Sequence, residues 1–345
     1  MLKFKMGWLN PSQDVTFAIS SRIRLARNLA EHPFPNRGSS KDLDSTLGEV
    51  FEAAKKMKKL AKSAYLKLQE LDTLDRRFLM ERHLISHELT RQTSGRGVII
   101  GENEIVSLMV NEEDHIRLQG MSPGINLSGI WNDINELDNE LGKRLSFAFD
   151  ARWGYLTACP TNAGTGLRAS YLIHLPALTL NEQINPVLEG LSRLGIVARG
   201  LYGEGTRVVG NLYQISNATS MGHKEEEIID TLERIIKNLI QHEKRSRQTL
   251  VTRFKKAATE DRIFRSLGIL THARAVSFEE AMHHISNLQL GLSLEFSIPV
   301  SLEILNELLI LIQPAHVQMT AGREMEAAER DVSRAALIRK KIQGE

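Results

Sequence analysis

Over the first two-thirds of this 345-residue chain the apolar residues come in short runs with the period of a strand, and from His223 onward they follow the period of a helix. That order restricts the chain to a strand-rich α+β domain followed by helices, because sheet faces and helix stripes each have to bury against a packed layer. In VTFAISSRIRL, residues 15–25, Ile19, Ser21, Ile23 and Leu25 share one face while Ser20, Arg22 and Arg24 share the other. Two arginines therefore point the same way. Helices are expected over about 41–60 and 74–85, and strands in VII and EIVSLMV between Gly97 and Val110. In NEEDHIRLQ, Glu113, His115 and Arg117 alternate onto one expected strand face.

A polar helix over 128–144 precedes the strand candidates SFAFD and WGYLTAC and the turn-rich PTNAGTG. LNEQINPVLEGLSRLG reads as a helix, and IVAR and NLYQIS as strands around the loop GLYGEGT. In EEEIIDTLERIIKNLIQHEKR, Ile228, Leu232, Ile235, Ile236 and Leu239 make an apolar stripe, with acids first and bases last, as the helix dipole favours. Beyond about residue 255 a small helical domain is expected, broken at SIPVS and QPAH by proline. Single cores seldom grow beyond roughly 250–300 residues, so two domains are expected, 1–254 and 255–345.

Composition narrows the function. Lys+Arg number 44 against 42 Asp+Glu, a net charge of +2, and aromatic residues are 6%, which supports neither a nucleic-acid binder nor a membrane-surface protein. A single cysteine, Cys159, excludes an intrachain disulfide framework and fits a reducing compartment. The N-terminal MLKFKMGWLNPSQD lacks the pattern of a secretory signal, and no stretch approaches the ~20 apolar residues of a membrane span. A cytoplasmic protein is expected.

The chain has no GxxxxGK[ST] loop, no HRD or DFG element and no GxGxxG opening a helix after a strand. It offers arginines instead: Arg22, Arg24, Arg117, Arg168 and Arg199. Each guanidinium is a planar fork of donors suited to phosphate oxygens, so several converging would replace both a lysine and loop amides. Taken alone, any one of them is more simply an exposed side chain. His83 and His87 stand four apart, yet no third convincing ligand accompanies them, so no metal site is assigned.

SSRIRLARN, NEEDHIR, CPTNAGTGLRAS and RGLYGEGTRVVGNLYQISN resemble, in order and spacing, the signature segments of the phosphagen (guanidino) kinase family. HLIS at 83–86, GTGLRAS followed by HLPAL, and the C-terminal RDVSRAALIRKK are similar to its bacterial protein-arginine kinase branch, so the resemblance covers nearly the whole chain. It implies a catalytic domain built on an antiparallel sheet flanked by helices, with a small C-terminal helical domain.

The resemblance also implies ATP and Mg²⁺ as cofactors. Ser20, Ser21, Arg22, Ile23, Arg24, His83, Arg117, Arg168, Ala169, Ser170, Tyr171, Leu172, Arg199, Gly200, Leu201, Tyr202 and Gly203 would line the nucleotide site. Glu113 and Glu204 would grip the acceptor guanidinium, Glu113 as base and Glu204 as clamp, although the sequence does not separate those roles. An ordinary guanidinium, with a pKa above ~12, has no free lone pair at neutral pH, so carboxylates are the natural answer. Cys159 would sit beside the acceptor and tune it electrostatically; composition alone allows an inert buried thiol equally.

Arg330, Asp331, Arg334 and Ala335 of RDVSRA would form a regulatory phosphoarginine-binding pocket, where the spacing by itself describes only a salt-bridged helix face. Implied partners are proteins with exposed arginines, a zinc-binding activator adaptor, a Clp-type unfoldase and further copies of the chain. Two other readings stand beside this one: a kinase for free arginine or another guanidino metabolite, and a non-catalytic phosphoarginine-binding regulator. About fourteen residues precede the first arginine strand, so the N-terminal helical domain that encloses a free amino acid is not expected, and the retained glutamates and arginines argue against a regulator.

Overall fold

Arg22 and Arg24 stay half-buried on strand β1, Ala18–Arg27, while Ile19, Ser21, Ile23 and Leu25 are closed into the core, as the alternation requires. The computed structural model describes residues 6–9, 17–201 and 208–344. They fall into two compact units. Among the described residues the first comprises 6–8, 20–171 and 216–233, and the second 9, 17–19, 172–201, 208–215 and 234–344.

In the first unit the strands are hydrogen-bonded in the order β2 (Ala64–Lys67), β3 (Gly97–Ile100), β4 (Val106–Val110), β5 (Ile116–Pro123), β1 and β8 (Leu167–His174). The strand pairings from β2 through β1 are antiparallel. Helices α1 (Ser40–Lys55), α2 (Thr73–Glu81) and α3 (Leu127–Gly142) accompany this sheet, and β6 (Phe149–Asp150) with β7 (Gly154–Tyr155) makes a small separate hairpin.

Two glycines set the helix approach. A Cβ at Gly97 of β3 would strike Leu47 and Phe51 of α1, and one at Gly120 of β5 would strike Ile130 and Ile134 of α3, all within 2.8 Å. A capping box at Ser39 and Asp42 starts α1, and the Asp72 side chain starts α2 by accepting from the Asp75 amide.

In the second unit the strand order is β8, β10 (Leu212–Asn217) and β9 (Ile196–Arg199), with α4 (Pro176–Leu180) and α5 (Ile184–Arg193) between β8 and β9 in sequence. Helix α6, Glu225–Leu250, begins in the first unit and continues into the second. Its residues Ile228, Leu232, Ile236 and Leu239 are buried. The helices that follow are α7 (Lys256–His272), α8 (Phe278–Ser293), α9 (Leu302–Leu311), α10 (Pro314–Ala321) and α11 (Ala327–Gln343). Pro314 sits at the start of α10, where its missing N–H costs nothing.

Two local expectations change. Helix α2 stops at Glu81 rather than running to Ile85, and His83 takes a left-handed backbone with φ 59°, so His83 and His87 do not stack on one helix face. Residues 111–115 form a turn rather than the start of a strand, with Asn111 at φ 59°. Strand parity is lost there, and the expected common face of Glu113, His115 and Arg117 does not form. His115 is instead buried, its Nδ1 accepting from the Leu29 amide at 3.0 Å and its Nε2 lying 3.0 Å from the Pro33 carbonyl.

Candidate active site

The antiparallel register pairs Ala26 with Arg117, Arg24 with Gln119 and Arg22 with Met121. Paired residues point to the same side of a sheet, so Arg22, Arg24 and Arg117 share one face by backbone geometry alone. Arg168, second residue of β8, joins them. Burial lowers the Arg22 pKa to about 9, with Arg117 and Arg168 adding repulsion. Burial, then Arg22, Arg117 and Arg168, lowers that of Arg24 still more clearly.

Arg117 is itself compensated: the charges of Glu112, Glu113 and Asp114 raise its pKa despite its burial. Arg117 donates from Nη1 to both carboxylate oxygens of Glu112, 2.5 Å each, and Glu112 stays ionised despite its burial because of Arg117, Ser86 and the Glu113 amide. Nε of Arg24 is buried and meets no acceptor among the described residues. Arg22 and Arg24, each repelled by Arg117 and Arg168, together with an unmatched buried donor on Arg24, fit a polyanion such as the phosphates of ATP.

The acceptor side lies on the same turn. Glu113 is exposed, and its carboxyl is pushed up by partial burial and then by the charges of Asp114 and Glu112, while Arg117 and a hydrogen bond with Cys159 oppose the rise. The half-buried Cys159 Sγ also lies 3.0 Å from Thr161 Oγ1. Asp114 is buried, and its Oδ1 accepts from Asn28 Nδ2 and from the Ala158 amide at 2.6 Å each. A carboxylate of raised pKa beside a thiol, next to an arginine cluster, can take a proton from a group brought between them.

The other expected nucleotide residues occupy varied positions. His83 stands edge-on to Trp8, with ring centroids 5.4 Å apart, and its carbonyl accepts from Gln119 Nε2 at 2.7 Å. Burial, with Arg22 and Arg24, depresses its pKa to about 3, so the ring stays neutral at ordinary pH. Ser20 is buried on the arginine face. Ser21 and Ile23 are buried on the opposite face, where Ser21 Oγ accepts from the Asn126 amide at 3.2 Å. What Ile23 can offer the arginine side is its backbone.

Ala169, Ser170 and Tyr171 are buried along β8, and the Ala169 amide donates to Asn217 Oδ1 at 2.8 Å. In the second unit, Leu172 is buried on β8, Arg199 is half-buried at the end of β9, and Gly200 and Leu201 are buried just after it. Tyr202, Gly203 and Glu204 lie outside the described residues.

RDVSRA also lies in the second unit, on α11. Arg334 is 1% exposed; its Nε donates to the Ile312 carbonyl at 2.7 Å, and its Nη1 to the Val276 carbonyl at 2.9 Å and to Asp331 Oδ1 at 2.5 Å. Arg330 and Asp331 are half-buried, Ala335 is buried, and Arg330 Nη1 donates to the Met325 carbonyl at 2.8 Å.

Glu112, Asp114 and Asn28 are functional candidates that sequence reasoning passed over. A signal was available: three consecutive acids in NEED cannot all face one acceptor without mutual repulsion, so two of them need partners of their own.

This sheet, its arginine face and its acid-rich turn define a guanidino phosphotransferase. Residues 46–246 match the family described as ATP:guanido phosphotransferase, C-terminal catalytic domain, and the chain belongs to that family. Residues 256–345 match the family described as Protein-arginine kinase McsB C-terminal domain. The chain is 45% identical to a protein-arginine kinase of Halothermothrix orenii over 96% of its own length and 94% of that protein's. It is 47% identical to one of Symbiobacterium thermophilum over 98% and 96%.

Among solved structures, it is similar to the duplicated taurocyamine kinase of Schistosoma mansoni with bound transition state analog components, at a TM-score of 0.62 and 29% identity. That match covers 71% of this chain and 35% of the duplicated protein. A lombricine kinase shares the fold at a TM-score of 0.60 and 24% identity, over 70% of this chain and 69% of the other. Among the described residues, no helix is long and apolar enough to cross a membrane.

Proposed function

We propose that this protein transfers the γ-phosphoryl group of ATP to arginine side chains of proteins. The observation that carries the reading is the shared sheet face of Arg22, Arg24 and Arg117, with Arg168, directly beside the turn where Glu113 meets Cys159. Phosphoryl transfer asks a protein mainly for in-line positioning and neutralisation of spreading negative charge. The four arginines, with Arg199, hold the phosphates. Ser20, Ser21, Ile23, His83, Ala169 to Leu172 and Gly200 to Gly203 complete the nucleotide site.

Glu113 takes a proton from the acceptor guanidinium, whose freed nitrogen lone pair forms the P–N bond as the bond from the γ-phosphorus to its bridging oxygen breaks. The electron pair of that bond leaves with ADP. Glu204 clamps the other side of the guanidinium, and Cys159 tunes it electrostatically. The Mg²⁺ that accompanies ATP supplies further charge neutralisation at the phosphates.

Relatives named protein-arginine kinase, aligned over nearly the full chain, support a protein acceptor over a free metabolite. The test incubates the protein with Mg-ATP and either free L-arginine or a disordered arginine-containing protein, and maps acid-labile phosphate by mass spectrometry at neutral pH. Protein phosphoarginine that disappears in Glu113→Ala is the expected result. Phosphorylation of free arginine alone would move the protein to the metabolite kinases.

The proposal extends to organisation. Residues 1–254 act as the catalytic domain, and 255–345 support self-association and bind phosphoarginine through Arg330, Asp331, Arg334 and Ala335; the match of 256–345 to the McsB C-terminal family supports this division. The setting is the cytoplasm, with a zinc-binding adaptor as activator and a Clp-type unfoldase receiving marked proteins.

A further inference from the structure

Asn28 follows the arginine strand directly and is buried, in reach of two segments that carry reacting groups. Its Oδ1 accepts from the His115 amide at 2.9 Å, and its Nδ2 donates to Asp114 Oδ1 at 2.6 Å and to the Leu156 carbonyl at 3.1 Å. The same Asp114 oxygen accepts from the Ala158 amide at 2.6 Å. One side-chain pair thus laces the turn 111–115 to the segment 156–158. Glu113 precedes Asp114, and Cys159 follows Ala158, so each reacting side chain stands one residue from a laced position.

We propose that Asn28 and Asp114 are positioning residues that hold the Glu113 carboxylate against the Cys159 thiol, and so set where the acceptor guanidinium sits. The inference rests on the kinase reading above and deepens it. Asp114 works through its shape: it is 3% exposed, and both donors converge on one oxygen, which places its carboxylate in the scaffold rather than at the acceptor. A neutral amide keeps that oxygen. Asparagine at 114 can therefore accept both hydrogen bonds, whereas alanine at 114 or at 28 leaves buried donors and acceptors unmatched.

The experiment compares Asp114→Asn, Asp114→Ala and Asn28→Ala with the wild type, using Mg-ATP and β-casein, after thermal melts confirm that each variant is folded. Misplacing a reacting group by about 1 Å costs on the order of 100-fold in rate, so kcat should fall about 30- to 100-fold in Asp114→Ala and Asn28→Ala, with KM for ATP within about twofold of wild type. Asp114→Asn should lose no more than about threefold. A second readout, the rate of Cys159 alkylation by iodoacetamide, should change in both alanine variants and stay near wild type in Asp114→Asn.

Asp114→Asn falling as far as Asp114→Ala would show that the charge itself acts, and would overturn the proposal. Unchanged kcat in both alanine variants would do the same, as would a loss carried by KM for ATP. A wild type that phosphorylates no arginine would sink the kinase reading alone; the alkylation rates would then decide the positioning claim by themselves.

Discussion

Arg117 donates to both carboxylate oxygens of Glu112 at 2.5 Å, and Glu112 also tempers the field at Arg24. The turn thereby divides its acids by task. Glu112 faces the arginines, Asp114 faces the scaffold, and Glu113 is left for the acceptor.

Replacing Glu112 by glutamine keeps the shape and removes the counter-charge. Breaking a largely buried ion pair from one side is expected to destabilise the free protein by about 2–4 kcal/mol in urea unfolding. A bound polyanion supplies the missing charge, so ATP should protect Glu112→Gln more than it protects the wild type. Equal protection of the two proteins would contradict this account.

Arg24 should behave in the opposite way. It is held among like charges, with one nitrogen unmatched, so Arg24→Met relieves repulsion in the free protein. Its stability should be unchanged or raised by about 1 kcal/mol, the usual trade at a site built for a ligand. ATP affinity, measured by calorimetry, should fall about 10- to 100-fold, the worth of a charge-assisted hydrogen bond. A variant that loses stability and keeps its affinity would remove Arg24 from the phosphate site.

These residues show which features a sequence discloses. The face of Arg22 and Arg24 was legible because a strand has period two and no residue between Ile19 and Leu25 interrupts it. The position of Arg117 over that face depends on register, which is set by nonlocal pairing and cannot be read from one strand. Parity failed at 111–115 because a left-handed Asn111 starts a turn there, and α2 ended early where His83 takes the same conformation. Asn28 gave no warning, since its role is to meet residues 86 and 128 positions away.

The Glu113 carboxyl is raised by burial first and by the charges of Asp114 and Glu112 next. As a base it acts only when ionised, so activity should be lost as pH falls through this raised value, above the ordinary range for glutamate near pH 4.5. Removing one neighbouring negative charge lowers the pKa. The acid limb of the kcat profile in Asp114→Asn should therefore move to lower pH than in the wild type. A limb that stays in place, or moves up, would mean that another group sets it.

At the other end of the chain, structure and binding have to be separated before RDVSRA can be tested. Arg334 ties α11 to the carbonyls of Ile312 and Val276, so Arg334→Ala strands buried acceptors and should cost about 3 kcal/mol of stability, whatever it binds. Loss of phosphoarginine binding in that variant would be uninformative alone. Arg330 is half-buried and makes its contact with the Met325 carbonyl, so Arg330→Ala should stay within about 1 kcal/mol of wild type. If the pocket is formed here, calorimetry should show that Arg330→Ala no longer takes up phosphoarginine while its melting temperature is kept. Wild-type uptake by this variant would place phosphoarginine recognition on other residues.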